Sequence, residues 1–134
     1  MSFIFPQKVL FKHCDPAGMV FYPRYFEMIS DCVEGFFETV GFAFETFIPQ
    51  GGVPTAQIET KFLAPSHHGD QLELALDVVR IGGASLNTNI TAECLGEPRF
   101  VATQTLVFVT AEGRSQKWPD PMRTAFQPYL RSTK

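Results

Sequence analysis

The chain has 134 residues, 45% hydrophobic and 19% charged, a composition that fits one globular domain with a packed core and excludes a disordered chain. The formal net charge of −3 argues against a general nucleic-acid binder, which is usually basic. Cys14, Cys32 and Cys94 lie too far apart for a CxxC metal site and are expected to be reduced thiols in a cytoplasmic protein. No signal peptide is predicted, and no apolar run reaches the roughly 20 residues of a membrane helix, so no membrane partner is expected.

A strand, a tight turn and a long amphipathic helix are predicted at the start of the chain. Residues 7–13 have the pattern of a strand, which a turn interrupts from Asp15 onward. From residue 22 to residue 40, apolar side chains recur at spacings of three and four, with acidic side chains mostly on the other side. Pro23 fits the first turn of this helix and Gly41 fits its C-terminal cap.

The second half of the chain has the period of two that is typical of strands. A short helical or irregular piece and a loop at Gln50-Gly51-Gly52 separate it from the helix. The strands are expected at 55–62, 72–78, 85–95 and 100–110. The tail from Glu112 is polar, contains three prolines and is expected to pack irregularly.

This order of elements places the chain in the α+β class as a single domain over residues 1–134. A sheet with one long helix buries its apolar face against that helix. The pattern alone goes no further than this class.

The turn before the helix places a carboxylate next to a helix N-terminus. The segment from His13 to Tyr25 contains Asp15 and enters the helix near Tyr22. The unpaired N–H groups of a helix N-terminus can hold an oxyanion while a nearby acid attacks an acyl carbon or activates water. Asp15 is therefore the candidate catalytic residue, and the alternative is a turn aspartate that caps backbone N–H groups.

Two further pairs of adjacent residues, His13-Cys14 and His67-His68, have side chains that can take part in catalysis or metal binding. Because successive strand residues point to opposite faces, His13 is a candidate substrate contact on the side of Asp15, whereas Cys14 is not expected to be the nucleophile. The alternative for His13 is a local hydrogen bond at the end of the strand. His67-His68 is interpreted as a polar turn, because no third ligand has suitable spacing, and no metal site is predicted.

The segment also resembles the D-P-A-G-x-V-x-Y-P-x-Y run of the 4-hydroxybenzoyl-CoA thioesterase family of hotdog-fold proteins. The matching residues are Asp15, Pro16, Ala17, Gly18, Val20, Tyr22, Pro23 and Tyr25. The resemblance implies a curved antiparallel sheet wrapped around one central helix. It also implies hydrolysis of acyl-CoA to a carboxylate and free CoA, with no metal or redox cofactor because CoA is part of the substrate.

The resemblance assigns roles to individual positions. Asp15 is expected to be the nucleophile or the general base, and the backbone N–H of Tyr22 to polarise the thioester carbonyl. Gly18 is expected to let the backbone approach the substrate, which Val20 and Tyr25 would contact.

The contacts to CoA are less strongly indicated. Some family members carry a basic cluster near the predicted hairpin, where this chain has Gly82-Gly83-Ala84 instead. Arg80 and Ser85 remain as candidate substrate contacts, and the glycine backbone can offer N–H groups to a phosphate. Alternative phosphate contacts, each of which is otherwise expected to be a solvated surface residue, are Arg99, Arg114, Lys117 and Arg123.

The resemblance further implies a homodimer formed by joining two sheets edge to edge, with a dimer of dimers as a further step. The expected substrate is an acyl-CoA with an apolar acyl group, and an acyl-carrier-protein thioester is the alternative. Two other functions stay open: a non-catalytic module that binds acyl thioesters, against which Asp15 argues, and a hotdog enoyl-thioester hydratase or dehydratase. Such hydratases pair a histidine with an acid, and the predicted helix contains no histidine.

Overall fold

The computed structural model describes residues 1–131 and contains three α-helices and seven strands within them. The helices are α1 (Pro23–Thr39), α2 (Phe44–Phe47) and α3 (Asp120–Phe126), with 3-10 turns at Phe11–His13 and Gln127–Tyr129. The strands are β1 (Phe3–Lys8), β2 (Gly51–Gly52), β3 (Thr55–Phe62), β4 (Gln71–Ile81), β5 (Ser85–Cys94), β6 (Glu97–Val107) and β7 (Val109–Thr110). None of the helices in this part of the chain is long and apolar enough to cross a membrane.

Five strands form one antiparallel sheet in the order β1-β4-β5-β6-β3, so β1 and β3 are its edges. The buried face of α1 packs against this sheet and includes Tyr25, Met28, Ile29, Cys32, Val33, Phe36 and Phe37. Alternate residues of β4 supply the opposing apolar face, namely Leu72, Leu74, Leu76 and Val78. The α+β hotdog prediction is therefore confirmed.

The start of the chain differs from the prediction. The strand predicted at 7–13 is wrong: β1 covers Phe3–Lys8, and Phe11–His13 forms a 3-10 turn. Pro6 is tolerated in β1 because an edge strand has one side that makes no ladder hydrogen bonds. The turn is closed locally, since the N–H of Leu10 donates to Nδ1 of His13 (2.8 Å).

The tail is not irregular as predicted, since it contains α3 and contributes to the core. Trp118, Met122 and Phe126 are buried and recur every four residues. The indole Nε1 of Trp118 donates to the carbonyl of Ser85 (2.9 Å), which ties the tail to the start of β5. Proline in the first turn of α3 does not interrupt it, because N–H groups at that position have no helical partner.

The remaining differences concern element ends. The helix predicted at 22–40 is confirmed within one residue at each end, and β3 coincides with its prediction. The strand predicted at 100–110 is interrupted after Val107, and its last piece, β7, pairs with β2, which the sequence predicted as loop.

Candidate active site

The turn from Cys14 to Val20, hereafter the Asp15 turn, is a closed loop directly before α1. Cys14 and Val20 form an antiparallel bridge. On either side of that bridge, the N–H of Asp15 donates to the carbonyl of Met19 (2.9 Å) and the N–H of Phe21 to the carbonyl of His13 (2.9 Å). These bonds hold the acid and the start of the helix in one short, fixed segment.

The carboxylate of Asp15 is half-buried and has one oxygen engaged. Its Oδ1 accepts a hydrogen bond from the N–H of Ala17 (2.9 Å), which is the capping contact expected of a turn aspartate. Its Oδ2 accepts no hydrogen bond from residues 1–131. The turn therefore orients the carboxylate through one oxygen and leaves the other for a substrate or a water molecule.

The N-terminus of α1 offers a backbone donor seven residues after this acid in the chain. The N–H groups of Arg24 and Tyr25 donate to the carbonyls of Phe21 (2.8 Å) and Tyr22 (3.1 Å), and Pro23 has no N–H. The N–H of Tyr22 donates to no acceptor within the described part of the chain. This N–H is the group that the resemblance predicts to polarise the thioester carbonyl.

Gly18 gives the turn its shape. Its φ of +79° lies in the left-handed region, which residues with a Cβ adopt at a cost. A Cβ at this position would meet no atom within 4 Å, so conformation and not crowding requires the glycine. Its expected close approach to a substrate stays a prediction.

His13 is 3% exposed, and its Nδ1 accepts the N–H of Leu10 (2.8 Å). Burial lowers the pKa of His13, and the positive charge of Lys12 lowers it further. Because Nδ1 is an acceptor here, the neutral ring carries its proton on Nε2. His13 thus makes the local hydrogen bond that the sequence analysis gave as the alternative to a substrate contact.

Val20 and Tyr25 lie together in an apolar pocket of about 290 Å³, whose other lining residues include Tyr22, Phe62 and Leu63. The pocket therefore brings together Val20, Tyr22 and Tyr25, which were predicted to contact the substrate. Asp15 and Gly18 do not line this pocket in the single chain.

A second pocket, of about 250 Å³, lies farther along α1 between the helix and β3. Phe26, Ile29 and Val33 line it from the helix, and Ile58 lines it from the strand. Phe62 lies between the two pockets, because its ring contacts Tyr25 and Phe26 with centroids 5.7 and 6.4 Å apart. The pocket of about 290 Å³ at the N-terminus of α1, hereafter the outer pocket, and the pocket of about 250 Å³, hereafter the inner pocket, follow one another along α1 and β3. The two pockets together are called the groove.

Sequence reasoning did not assign the strand wall of this groove to the site. The signal was present in β3, where Ile58 and Phe62 fall on the face predicted to be apolar. What the sequence could not show is that β3 is an edge strand, so that this face borders an open groove.

Arg80 and Ser85 lie at the far end of the sheet from the Asp15 turn. β4 begins beside the turn and runs for 11 residues, or about 33 Å, before it reaches the hairpin. The hairpin is covered by the tail, since Arg123 Nη1 donates to the carbonyl of Gly82 (2.7 Å). The single chain therefore does not bring Arg80 and Ser85 to Asp15.

His67 and His68 belong to residues 64–70 of the connection between β3 and β4, hereafter the 64–70 loop. Within residues 1–131, no three histidine, cysteine, aspartate or glutamate side chains are grouped so that they could hold a metal ion. Cys32 is buried in α1, and burial raises the pKa of its thiol to about 12, so it stays protonated.

Comparison with known proteins places the sequence in a family. The sequence matches the model of the thioesterase-like superfamily over residues 9–126. A search of curated proteins finds no significant match.

Solved structures share the fold over nearly the whole chain. Slr0204, a 1,4-dihydroxy-2-naphthoyl-CoA thioesterase from Synechocystis, superposes with a TM-score of 0.86 at 19% identity, covering 95% of this chain and 96% of that one. The gentisyl-coenzyme A thioesterase BH1999 gives 0.87 at 22% identity, covering 92% and 99%. SAV2348 from Staphylococcus aureus, in complex with CoA, gives 0.90 at 16% identity, covering 100% and 89%. At sequence identities this low, the superpositions show that the fold is shared and nothing more specific.

Proposed function

Because the chain belongs to the thioesterase-like superfamily, we propose that it is an acyl-CoA thioesterase, which hydrolyses its substrate to a carboxylate and free CoA. The observation that carries the proposal is the pairing of Asp15 and Tyr22 on one short segment. The acid has an oxygen without a protein partner, and the backbone N–H of Tyr22 is an unused donor at a helix N-terminus. The structure of SAV2348, a protein of the same fold in complex with CoA, supports the proposal that the substrate is a CoA ester.

In this reaction, the N–H of Tyr22 would donate a hydrogen bond to the thioester oxygen as that oxygen becomes negatively charged. A donor of this kind is worth about 3 kcal/mol of transition-state stabilisation. Asp15 would act in one of two ways. As a nucleophile it attacks the carbonyl carbon, expels the CoA thiolate and forms a mixed anhydride that water then hydrolyses. As a general base it takes a proton from the attacking water.

The groove indicates the kind of acyl group. Its inner pocket of about 250 Å³ has no charged side chain among the described residues that line it. A cavity of about 150 Å³ accommodates benzene, so this pocket has room for a substituted ring or a short to medium chain. We therefore propose an uncharged, largely apolar acyl group.

The polar end of the inner pocket is neutral. Gln104 Nε2 donates to Thr55 Oγ1 (2.9 Å), and Thr88 Oγ1 donates to Gln104 Oε1 (3.4 Å). Because Thr55 Oγ1 accepts a bond from Gln104, its own proton is available to a neutral acceptor on the acyl group. A carboxylate at this end would find no cationic side chain among the residues that line the pocket.

We propose further that two copies join through β3 to form a homodimer. β3 is an edge strand, and six of its eight residues are exposed, so its free side is open to another strand. Antiparallel pairing of two copies would place the Thr55 end of one strand beside the Phe62 end of the other. Thr55 is on the same end of the sheet as the hairpin, so this arrangement moves Arg80 and Ser85 of one copy toward the Asp15 turn of the other.

The experiment is release of free thiol from a panel of acyl-CoA esters by the wild type and Asp15→Asn, with a chelator present. A matched control is Asp120→Asn, which changes an aspartate in the first turn of α3, outside the proposed site. We expect turnover that falls about a hundredfold or more in Asp15→Asn to a small residual rate, is kept in Asp120→Asn and is insensitive to the chelator. Turnover unchanged in Asp15→Asn would remove this residue from the mechanism.

No turnover with any CoA ester would direct the same assay to acyl-carrier-protein thioesters. Binding of acyl-CoA without turnover of either substrate would favour the non-catalytic binding module. The capping bond from Ala17 to Asp15 is compatible with that outcome, because it gives the carboxylate a structural role.

A further inference from the structure

The 64–70 loop holds the Asp15 turn from one side through backbone contacts. The N–H of Val20 donates to the carbonyl of Ser66 (2.9 Å), and the N–H of His68 donates to the carbonyl of Gly18 (3.1 Å). Met19 and His67 form an antiparallel bridge between them. The conformation of the turn therefore depends on that of the loop.

Arg99 fills the inside of this loop. It belongs to β6 and is 9% exposed, which is unusual for a charged side chain. Its Nη1 contacts three acceptors on the loop: the carbonyl of Pro65 (3.1 Å), the hydroxyl of Ser66 (3.1 Å) and the carboxylate of Asp70 (2.7 Å). A single guanidinium thus joins the two ends of the loop.

Asp70 supplies the charge that Arg99 needs. Its Oδ2 accepts the N–H of His67 (2.9 Å) as well as Nη1 of Arg99. These contacts, the bond from His67 first, hold the pKa of Asp70 below its ordinary value, so the carboxylate is ionised at neutral pH. Glu97 lies 2.8 Å from Arg99 Nε without a directed hydrogen bond and is 60% exposed, so it contributes less.

We propose that Arg99 and Asp70 are positioning residues for catalysis, which act on Asp15 through the 64–70 loop. The path has two steps. The guanidinium and the carboxylate fix the loop at Ser66 and His67, and the loop fixes Gly18 and Val20 on either side of Met19. This role rests on the proposed thioesterase function, because Asp15 is the group that is positioned.

The geometry explains why a charged pair is placed here. The Asp15 turn makes most of its remaining bonds within itself and to the residues just before it, so the loop is its main support from the sheet. A directed, partly buried ion pair restrains a loop more strictly than an apolar contact would, since hydrogen bonds to charged groups have narrow geometry. Small displacements of a catalytic group are costly, because a shift of about 1 Å can lower a rate about a hundredfold.

The test uses Asp70→Asn and Arg99→Lys, which keep the size of each side chain but weaken the pair. The matched control is Asp77→Asn, which breaks the ion pair between Asp77 and Arg131 (3.2 Å) near the other end of β4. Two measurements are made on each variant. The first gives kcat and KM with the preferred acyl-CoA, and the second gives the rate of amide hydrogen exchange at Val20 and His68.

We expect Asp70→Asn and Arg99→Lys, hereafter the clamp variants, to lower kcat about tenfold or more with KM within about twofold, and to speed exchange at Val20 and His68. Asp77→Asn is expected to change neither quantity. The clamp variants should also lose their effect on kcat in an Asp15→Asn background, because residues that act through one group are not additive.

Three results would overturn the proposal: unchanged exchange at Val20 and His68, faster exchange with unchanged kcat, or a full additional loss in the Asp15→Asn background. If Asp70→Asn fails to fold, Arg99→Lys and Asp70→Glu carry the same test. If the wild type hydrolyses no thioester, the proposed function fails by itself, and the exchange data still decide whether the pair positions the turn.

Discussion

Tyr25 and Phe62 stack with ring centroids 5.7 Å apart and planes inclined by 27°, which joins the first turn of α1 to the last residue of β3. Phe62 also contacts Tyr22 and Phe26 edge to face, at 6.0 and 6.4 Å. One ring therefore separates the outer pocket, next to the N–H of Tyr22, from the inner pocket along the helix. We infer that Phe62 sets the width of the path along which an acyl group enters.

Replacing Phe62 with alanine should join the two pockets and favour bulkier acyl groups. We expect the ratio of kcat/KM for long or multi-ring acyl-CoAs to that for short ones to rise in Phe62→Ala. Because the side chain is 47% exposed, the loss of stability should stay below that of a core phenylalanine. The measurement is thiol release across a series of acyl lengths.

The control for this experiment is Phe11→Ala. Phe11 is 81% exposed and contacts His68, so its removal deletes an aromatic ring near the same end without touching the groove. An unchanged selectivity ratio in Phe62→Ala, or an equal change in Phe11→Ala, would contradict the assigned role of Phe62.

Gly18→Ala should show whether the shape of the Asp15 turn affects catalysis separately from the loss of stability that backbone strain causes. Alanine at a φ of +79° costs about 1–2 kcal/mol, because its Cβ approaches the following carbonyl. Gly113→Ala is the matched control, since Gly113 has a φ of +84° and equally open surroundings but lies in the tight turn after β7. We expect similar losses of unfolding free energy in both variants and a loss of kcat in Gly18→Ala alone. Equal activity in the two variants would mean that catalysis tolerates a changed turn.

The structure shows which parts of the fold local sequence could predict. Helix α1 and strand β3 were predicted almost to the residue, because each has a periodic pattern and a clear stop signal. β1 was displaced because Pro6 is compatible with a strand only at a sheet edge, and edge position depends on the whole topology. The tail was assigned as irregular because its prolines concealed a regular spacing of Trp118, Met122 and Phe126.

The same distinction holds for the candidate site. Asp15, Gly18 and Tyr22 could be named as candidates because they belong to one short motif whose geometry is local. The positions of Arg99 and Phe62 could not be predicted in this way. Phe62 contacts the motif, and Arg99 contacts the loop that holds it, only after β3, β6 and the 64–70 loop have come together. Residues that support a site from distant parts of the chain carry no local signal of that role.

Phe126→Ala should show that the tail is part of the core. Phe126 is fully buried, with its ring 6.0 Å from that of Phe36 and 5.0 Å from that of Trp118. Truncating such a phenylalanine costs about 3–5 kcal/mol, because it removes apolar contact and leaves a cavity. The measurement is urea unfolding, with Phe11→Ala as an exposed control expected to change stability by about 0.5 kcal/mol or less. A small loss in Phe126→Ala would mean that the tail can detach from the sheet.

His13 should make the protein less stable in mild acid. Its pKa in the folded state is lowered from the ordinary 6.5, mainly by burial and then by Lys12, while Glu27 and Asp31 act in the opposite direction. Between the folded and the unfolded pKa, the unfolded chain binds more protons, so the free energy of unfolding falls as the pH drops below about 6.5. Protonation at Nδ1 would also break the bond from the N–H of Leu10.

The corresponding measurement is the unfolding free energy of the wild type and His13→Gln at pH 7 and pH 5. Glutamine keeps an acceptor for the N–H of Leu10 but does not titrate, and the other ionisable groups are the same in both proteins. We expect the fall in stability between the two pH values to be smaller in His13→Gln. One proton accounts for at most about 1.4 kcal/mol per pH unit, which bounds the difference between the two proteins. Equal falls in both proteins would show that His13 is protonated equally in the folded and unfolded states, contrary to its burial beneath the Asp15 turn.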